Sequence, residues 1–249
     1  MIPAVVTAGG RLKSQLAEQV GVEIKALARV GGVPVLSRVL DALEASAGVS
    51  ESVVVGPVEA LRETVGERAA LIDEGDSGID NVRRGLAAVR GAAGDGFVLL
   101  SAIDLPFLSV EAIDDLLARA PADADLVFPI LGKDAYDKVF PNSPGVWTKL
   151  KDGPLTGGSV LLVRPAAIER NAALIEKVFE ARKSQLGMAK LLGVGVALKF
   201  AAGILTVAEA EARASAITGC SCRVLWDAHP HLACDLDDPV DFTFAEQHA

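Results

Sequence analysis

Strands alternating with helices at short spacing predict an α/β protein, a three-layer α/β/α sandwich around a mainly parallel, mixed central sheet. Short β-branched runs such as Ile2-Pro3-Ala4-Val5-Val6 and Ser52-Val53-Val54-Val55-Gly56 recur between segments with helical spacing. These runs are continuously apolar, as expected of strands covered on both faces. About half of the 249 residues are apolar, enough for a sizeable core, and 23% are charged. The expected organisation is a single domain over residues 1–249 with a subregion at about 130–220.

The elements follow in order. The opening run ends in Thr7-Ala8-Gly9-Gly10-Arg11, a strand that stops at paired glycines. Residues 37–47 place Val39, Leu40, Leu43 and Ala47 on one helical face. The strand at 52–56 leads to a helix at 59–68 and a short strand, Ala70-Leu71-Ile72-Asp73. A turn-rich loop then opens a helix at 79–90, with Val82, Leu86 and Val89 inward. Gly96-Phe97-Val98-Leu99-Leu100-Ser101 is the strongest strand signal, with a helix at 110–120 and a strand at 125–129 after it. Residues 132–151 read as a loop-rich excursion. A glycine turn, Thr156-Gly157-Gly158-Ser159, precedes the strand Val160-Leu161-Leu162-Val163. Residues 166–192 are largely helical, and 205–217 form a helix with Thr206 as N-cap and Glu209 at capping-box spacing. Arg223-Val224-Leu225 is a late strand.

A net charge of −9 argues against nucleic acid as the main partner, since backbone binding needs a basic surface. Three cysteines, Cys220, Cys222 and Cys234, are an odd and sparse set that suggests a reducing, cytoplasmic setting. Cys220-x-Cys222 lacks the spacing of the common zinc and redox motifs. Met1 leads into the first strand without a basic secretory n-region. Residues 191–208 are apolar apart from Lys199 and Thr206, a length bordering on a membrane span. Gly193, Gly195 and Gly203 interrupt the stretch, so a buried or interface helix is expected there. Contact with a membrane surface is the alternative.

In sheets of this kind ligands sit beyond the carboxyl ends of the strands. Gly9, Gly10 and Asp104 all lie just past strand ends, so chain order alone lets them share one site. Paired glycines let the backbone approach a ligand and turn successive N–H groups toward an anion. The segment is neither a Walker loop nor a G-x-G-x-x-G fingerprint. Asp104, held by Pro106, is placed to ligate Mg²⁺, although Asp-x-Pro by itself is more often a helix-capping turn. Cys234-Asp235-Leu236-Asp237-Asp238-Pro239-Val240-Asp241 holds four aspartates that would repel unless a cation or helix N-termini compensate.

Ala8-Gly9-Gly10 after the first strand, then Lys25-Ala26-Leu27, Gly32-x-Pro34 and Leu36, resembles nucleotidyltransferases of the molybdenum-cofactor guanylyltransferase and methylerythritol-phosphate cytidylyltransferase type. Asp104-Leu105-Pro106-Phe107 resembles the family's metal-binding D-x-P-F element, and residues 235–242 its D-x-D-x-P-x-D-L ending, with Phe242 replacing Leu. The third glycine and the Arg-Met-Gly element of the usual opening are missing, and Arg11 follows Gly10 directly. The likeness spans roughly residues 2–129 and 234–242, with a weaker match near 156–163.

The resemblance implies a Mg²⁺-dependent transfer of a nucleotidyl group from CTP or GTP to a small phosphorylated acceptor, with release of pyrophosphate. It implies Lys25 and Arg11 as catalytic, Ala8, Gly9, Gly10, Asp80 and Asn81 as nucleotide-binding, and Asp104 and Asp237 as metal ligands. Asp80 and Asn81 also read as helix caps. Thr156, Gly157 and Gly158 fall where the family places the acceptor, and a plain hairpin turn is their ordinary reading. Arg182, with Lys183 and Lys190, could hold an acceptor phosphate, against the ordinary reading of a solvated helix face. A homodimer is open. The alternatives are a glycosyltransferase on the same nucleotide-sugar fold and a non-catalytic nucleotide-binding protein.

Overall fold

The computed structural model describes residues 1–181 and 184–249. The chain runs β1 (Ile2–Thr7), α1 (Ser14–Val20), a 3₁₀ turn at Lys25–Leu27, the small strands β2 (Arg29–Val30) and β3 (Val33–Pro34), and α2 (Val35–Ala45). β4 (Val49–Gly56), α3 (Val58–Val65), β5 (Ala70–Asp73), α4 (Gly78–Ala93), β6 (Val98–Ala102) and α5 (Val110–Arg119) complete the regular first half. Next come β7 (Leu126–Gly132), α6 (Lys133–Val139), β8 (Thr148–Leu150), β9 (Gly153–Gly157) and β10 (Val160–Val163). Four helices follow: α7 (Pro165–Arg170), α8 (Ala172–Ala181), α9 (Gln185–Leu192) and α10 (Val194–Ala201). α11 (Val207–Thr218), β11 (Cys222–Leu225) and α12 (Pro239–Gln247) end the fold.

The main sheet has the order β5-β4-β1-β6-β10-β7-β9-β8, with β11 also paired to β7. β5, β4, β1 and β6 are parallel, and β10 runs antiparallel between β6 and β7. β1 is therefore central, with Val6 between Val54 of β4 and Ser101 of β6. Alternate residues of β1 serve opposite faces. Ala4 and Val6 join one cluster with Leu36, Leu40 and Leu43 of α2, Leu61 of α3, Leu116 of α5 and Phe242 of α12. Val5 joins a second cluster with Val82, Leu86 and Val89 of α4 and Ile168 of α7. Two helix layers on one mainly parallel, mixed sheet make the three-layer sandwich. Burying each such Val or Leu contributes ~1.5–3 kcal/mol.

α4 lies unusually close to the sheet. A Cβ on Gly85 would come 2.3 Å from Val5 Cγ1 and 3.1 Å from Val55 Cγ2, so only glycine permits this approach. The capping box of α11 forms as the spacing predicts, with Thr206 Oγ1 accepting from the Glu209 N–H at 3.2 Å and Glu209 Oε2 accepting from the Thr206 N–H at 3.1 Å.

Two expectations are corrected. Residues 132–151 contain α6 and β8; α6 spans fewer than two turns and buries only Tyr136, too little for a visible period. Residues 191–208 are not a buried helix. They divide between the end of α9, α10 and the start of α11, broken at Gly193 and Gly203, where φ is positive. No α10 residue is buried, and Val194 and Leu198 are exposed. Among the described residues no helix is long and apolar enough to cross a membrane.

Candidate active site

The turn after β1 is tied down by backbone hydrogen bonds. The Ala8 N–H donates to Val55 O at 2.7 Å, and the Lys25 N–H donates to Gly10 O at 3.0 Å. The second bond sets the Lys25 side chain alongside the glycines. Its Nζ donates to Asp104 Oδ2 at 2.6 Å and to Asp237 Oδ1 at 2.8 Å. Two carboxylates from distant parts of the chain thus meet on one ammonium group.

Each carboxylate is held by local structure. Asp104 stands two residues past β6, and its carbonyl accepts the Leu236 N–H at 3.1 Å, which draws residues 235–238 to the strand end. Asp237 opens the entry to α12. Asp241 Oδ2 accepts the N–H groups of Asp237 at 2.9 Å and Asp238 at 2.7 Å, completing a capping box in which Asp238 is the N-cap. Asp241 is thereby committed to the helix start, and Phe242 is buried in the core as the anchor of α12.

Charge in this corner is unbalanced. Burial by itself would lower the Lys25 ammonium pKa, but Asp104 and Asp237 outweigh it and hold the group above its ordinary value. Asp235 faces the same corner. Burial, then repulsion from Asp104 and Asp237, pushes its carboxyl up to about 7 against the pull of Lys25. Asp104 Oδ1 is buried and has no hydrogen-bond partner. A hard divalent cation such as Mg²⁺ favours oxygen donors of this kind, so Asp104 and Asp237 fit one. Among the described residues no three His, Cys, Asp or Glu side chains are grouped as a preformed metal cage. Lys25 stands between the two acids instead.

Arg11 lies on the other side of the glycines. Its guanidinium donates to Gly9 O at 2.7 Å and forms an ion pair with Glu74, just past β5. Asn81 is buried on α4, and its Oδ1 accepts the Gly75 N–H at 2.7 Å. A Cβ on Gly9 would meet Glu74 Oε2 at 2.6 Å and Asn81 Nδ2 at 2.7 Å. Ala8, Gly9, Gly10, Arg11, Glu74 and Asn81 therefore form one cluster beside Lys25. Sequence reasoning missed Glu74; the signal available was an acidic residue directly after a strand end, as with Asp104.

Asp80 Oδ2 accepts from Arg84 Nε at 3.0 Å and lies against Gly75. Neither Asp80 nor Asn81 is the cap of α4. That role belongs to Ser77, whose Oγ accepts the Asp80 N–H at 3.2 Å.

The acceptor-side expectations divide. Thr156 and Gly157 lie inside β9, opposite Leu131 and Ile130 of β7, and are not a free turn. The turn is shorter: Gly158 donates to Pro129 O at 2.8 Å and Ser159 to Leu232 O at 2.7 Å. Ser159 O accepts the Ala102 N–H at 2.9 Å, so this turn borders the end of β6 next to Asp104. Arg182 lies outside the described residues. Lys190 is in the last turn of α9.

A glycine turn, a lysine clamped by two acids and a strand-end carboxylate thus gather past the ends of β1 and β6. The chain belongs to the family of the MobA-like NTP transferase domain, whose model matches residues 4–193. A structure from Thermus thermophilus described as a hypothetical transferase is similar at 35% identity and a TM-score of 0.83, covering 97% of this chain and 100% of the other. A nucleotidyl transferase from Methanothermobacter thermautotroptrophicus shares the fold at 19% identity and a TM-score of 0.58, with 100% and 97% of the two chains covered. So does a 2-C-methyl-D-erythritol 4-phosphate cytidylyltransferase, also from Thermus thermophilus, at 19% identity, a TM-score of 0.56 and coverage of 100% and 98%. No curated protein matches the chain.

Proposed function

We propose that this nucleotidyltransferase transfers a nucleoside monophosphate from CTP or GTP to a small phosphorylated acceptor, releasing pyrophosphate, with Mg²⁺ held by Asp104 and Asp237. The observation that carries the reading is the pair of bonds from Lys25 Nζ, at 2.6 Å to Asp104 and 2.8 Å to Asp237, beside the glycine turn. An acceptor oxygen forms a bond to the α-phosphorus while the bond from that phosphorus to the bridging oxygen breaks, and its electrons leave with pyrophosphate. Such transfer asks for positioning and charge stabilisation more than covalent help.

Within that scheme Lys25 neutralises charge growing on the α-phosphoryl oxygens. The N–H groups of Gly9 and Gly10 face the β and γ phosphates, and Arg11 joins them by exchanging Glu74 and Gly9 O for phosphate oxygens. Asn81 lies where the base enters, beside Gly9. Bound Mg²⁺ supplies a second positive charge at the same phosphates. The acceptor approaches from the subregion at 130–220 of a single domain, past the Gly158–Ser159 turn.

The test is pyrophosphate release with each of the four NTPs across a panel of sugar, pterin, phosphonate and lipid phosphates. Lys25→Ala and Asp104→Ala should each lower turnover by ~10²–10³, or roughly 3–4 kcal/mol, with the fold retained. Near-normal turnover in either variant removes the assignment.

A further inference from the structure

Lys25 is the only cation bonded to the two acids among the described residues. Arg11 is paired with Glu74, and Lys13 with Asp238 at 2.9 Å. Asp104 and Asp237 each make their side-chain bond to Lys25 alone, and Asp235 adds a third carboxylate to the same corner. Asp238 and Asp241 are engaged in the α12 capping box. The lysine thus provides the positive charge that keeps two otherwise repelling carboxylates together.

We infer that Lys25 is the counter-cation of the metal-free site and exchanges with the divalent cation, so that metal binding releases the lysine toward the nucleotide. The inference rests on the reading of Asp104 and Asp237 as the metal pair. An ammonium 2.6 Å and 2.8 Å from the two oxygens stands where a cation on those oxygens must be. Two like charges at such separation repel, most strongly on the Asp104 side, where Lys25 and Asp104 are mostly buried while Asp237 is exposed. Asp104 Oδ1 has no hydrogen-bond partner, so a cation that replaces the lysine on Asp104 can take this second oxygen without breaking a bond to it. The exchange moves no proton, because the lysine leaves one ion pair as an ammonium and enters another. It orders the site: the lysine is withheld from phosphate until metal is present.

The wild-type protein, free of nucleotide, provides the first test. Acetylation of Lys25 by acetic anhydride, followed by mass spectrometry, should be slow without metal and rise severalfold with millimolar Mg²⁺. Unchanged or slower labelling overturns the exchange. The second test is Mn²⁺ affinity, read from the electron paramagnetic resonance of the free ion. Lys25→Met should bind Mn²⁺ roughly tenfold more tightly than wild type, about 1.4 kcal/mol. Lys25→Arg, which keeps the charge, should stay near wild type. Equal or weaker binding by Lys25→Met overturns the exchange while leaving the transferase reading intact. Wild-type Mn²⁺ affinity in both Asp104→Asn and Asp237→Asn removes the metal pair, and the inference with it. Where Lys25→Met fails to fold, the labelling of wild type decides.

Discussion

Gly85→Ala is expected to destabilise the protein although it improves a helix. Alanine in place of glycine in a helix interior is worth ~0.8–1.0 kcal/mol. Against that, the new methyl would lie 2.3 Å from Val5 Cγ1, far inside the ~3.5–4.0 Å of an ordinary carbon contact. Val5 is fully buried on a central strand paired on both sides, so it has nowhere to retreat. Overpacking of this kind costs ~1–3 kcal/mol, and the severity of the overlap places it toward the upper end. The net loss should be ~1–2 kcal/mol, a fall in Tm of about 2–8 °C for a chain of this size. Gly91, on the exposed side of the same helix with nothing within 4 Å of an added Cβ, is the control. Gly91→Ala should gain up to ~1 kcal/mol. Urea unfolding of both variants at equal slope measures the pair. Asn81 lies one turn before Gly85 on the same face of α4, so lifting the helix should also weaken stabilisation by NTP in Gly85→Ala and not in Gly91→Ala. Gly85→Ala as stable as wild type would refute the tight approach of α4 to β1.

Three further outcomes follow from the geometry. Gly9→Ala drives a methyl into Glu74 and Asn81, and should raise the Kd for NTP severalfold in calorimetry while costing ~1 kcal/mol through the Asn81–Gly75 bond; unchanged affinity would separate this cluster from the nucleotide. Thr206→Ala removes the α11 cap and should cost ~1 kcal/mol in urea unfolding, with turnover unaltered. Burial, followed by neighbouring carboxylates, pushes the Cys234 thiol up to about 11, so it stays protonated and resists iodoacetamide at pH 8 until the chain is unfolded; labelling of the native protein at the unfolded rate would contradict that burial.

The first half of the fold was legible because its strands are continuously apolar and its helices long enough to show a period. Asp104 and the glycines could be read as neighbours because both follow strands that run the same way. The pairing of Arg11 with Glu74 could not be read, since the partners are 63 residues apart and an acidic residue after a strand end does not by itself name its partner. α6 was missed because seven residues hold too few apolar positions to repeat. The stretch at 191–208 misled for the opposite reason: its hydropathy is high, yet no residue of α10 within it is buried. Thr156 and Gly157 looked like a turn because glycine dominates the motif, whereas pairing with β7 keeps them extended.

The corner around Lys25 is closed from the far end of the polypeptide. Asp237 reaches Lys25 from 212 positions away, and Glu246 of α12 accepts the Gly31 N–H at 3.1 Å behind it. A ribosome delivers the glycine turn, the lysine and Asp104 well before the acid that completes them. Nascent or prematurely terminated chains that fold their first half consequently carry a lysine with one of its two acids and no docked α12. The corner is therefore completed late in translation, when residues 235–247 settle against it.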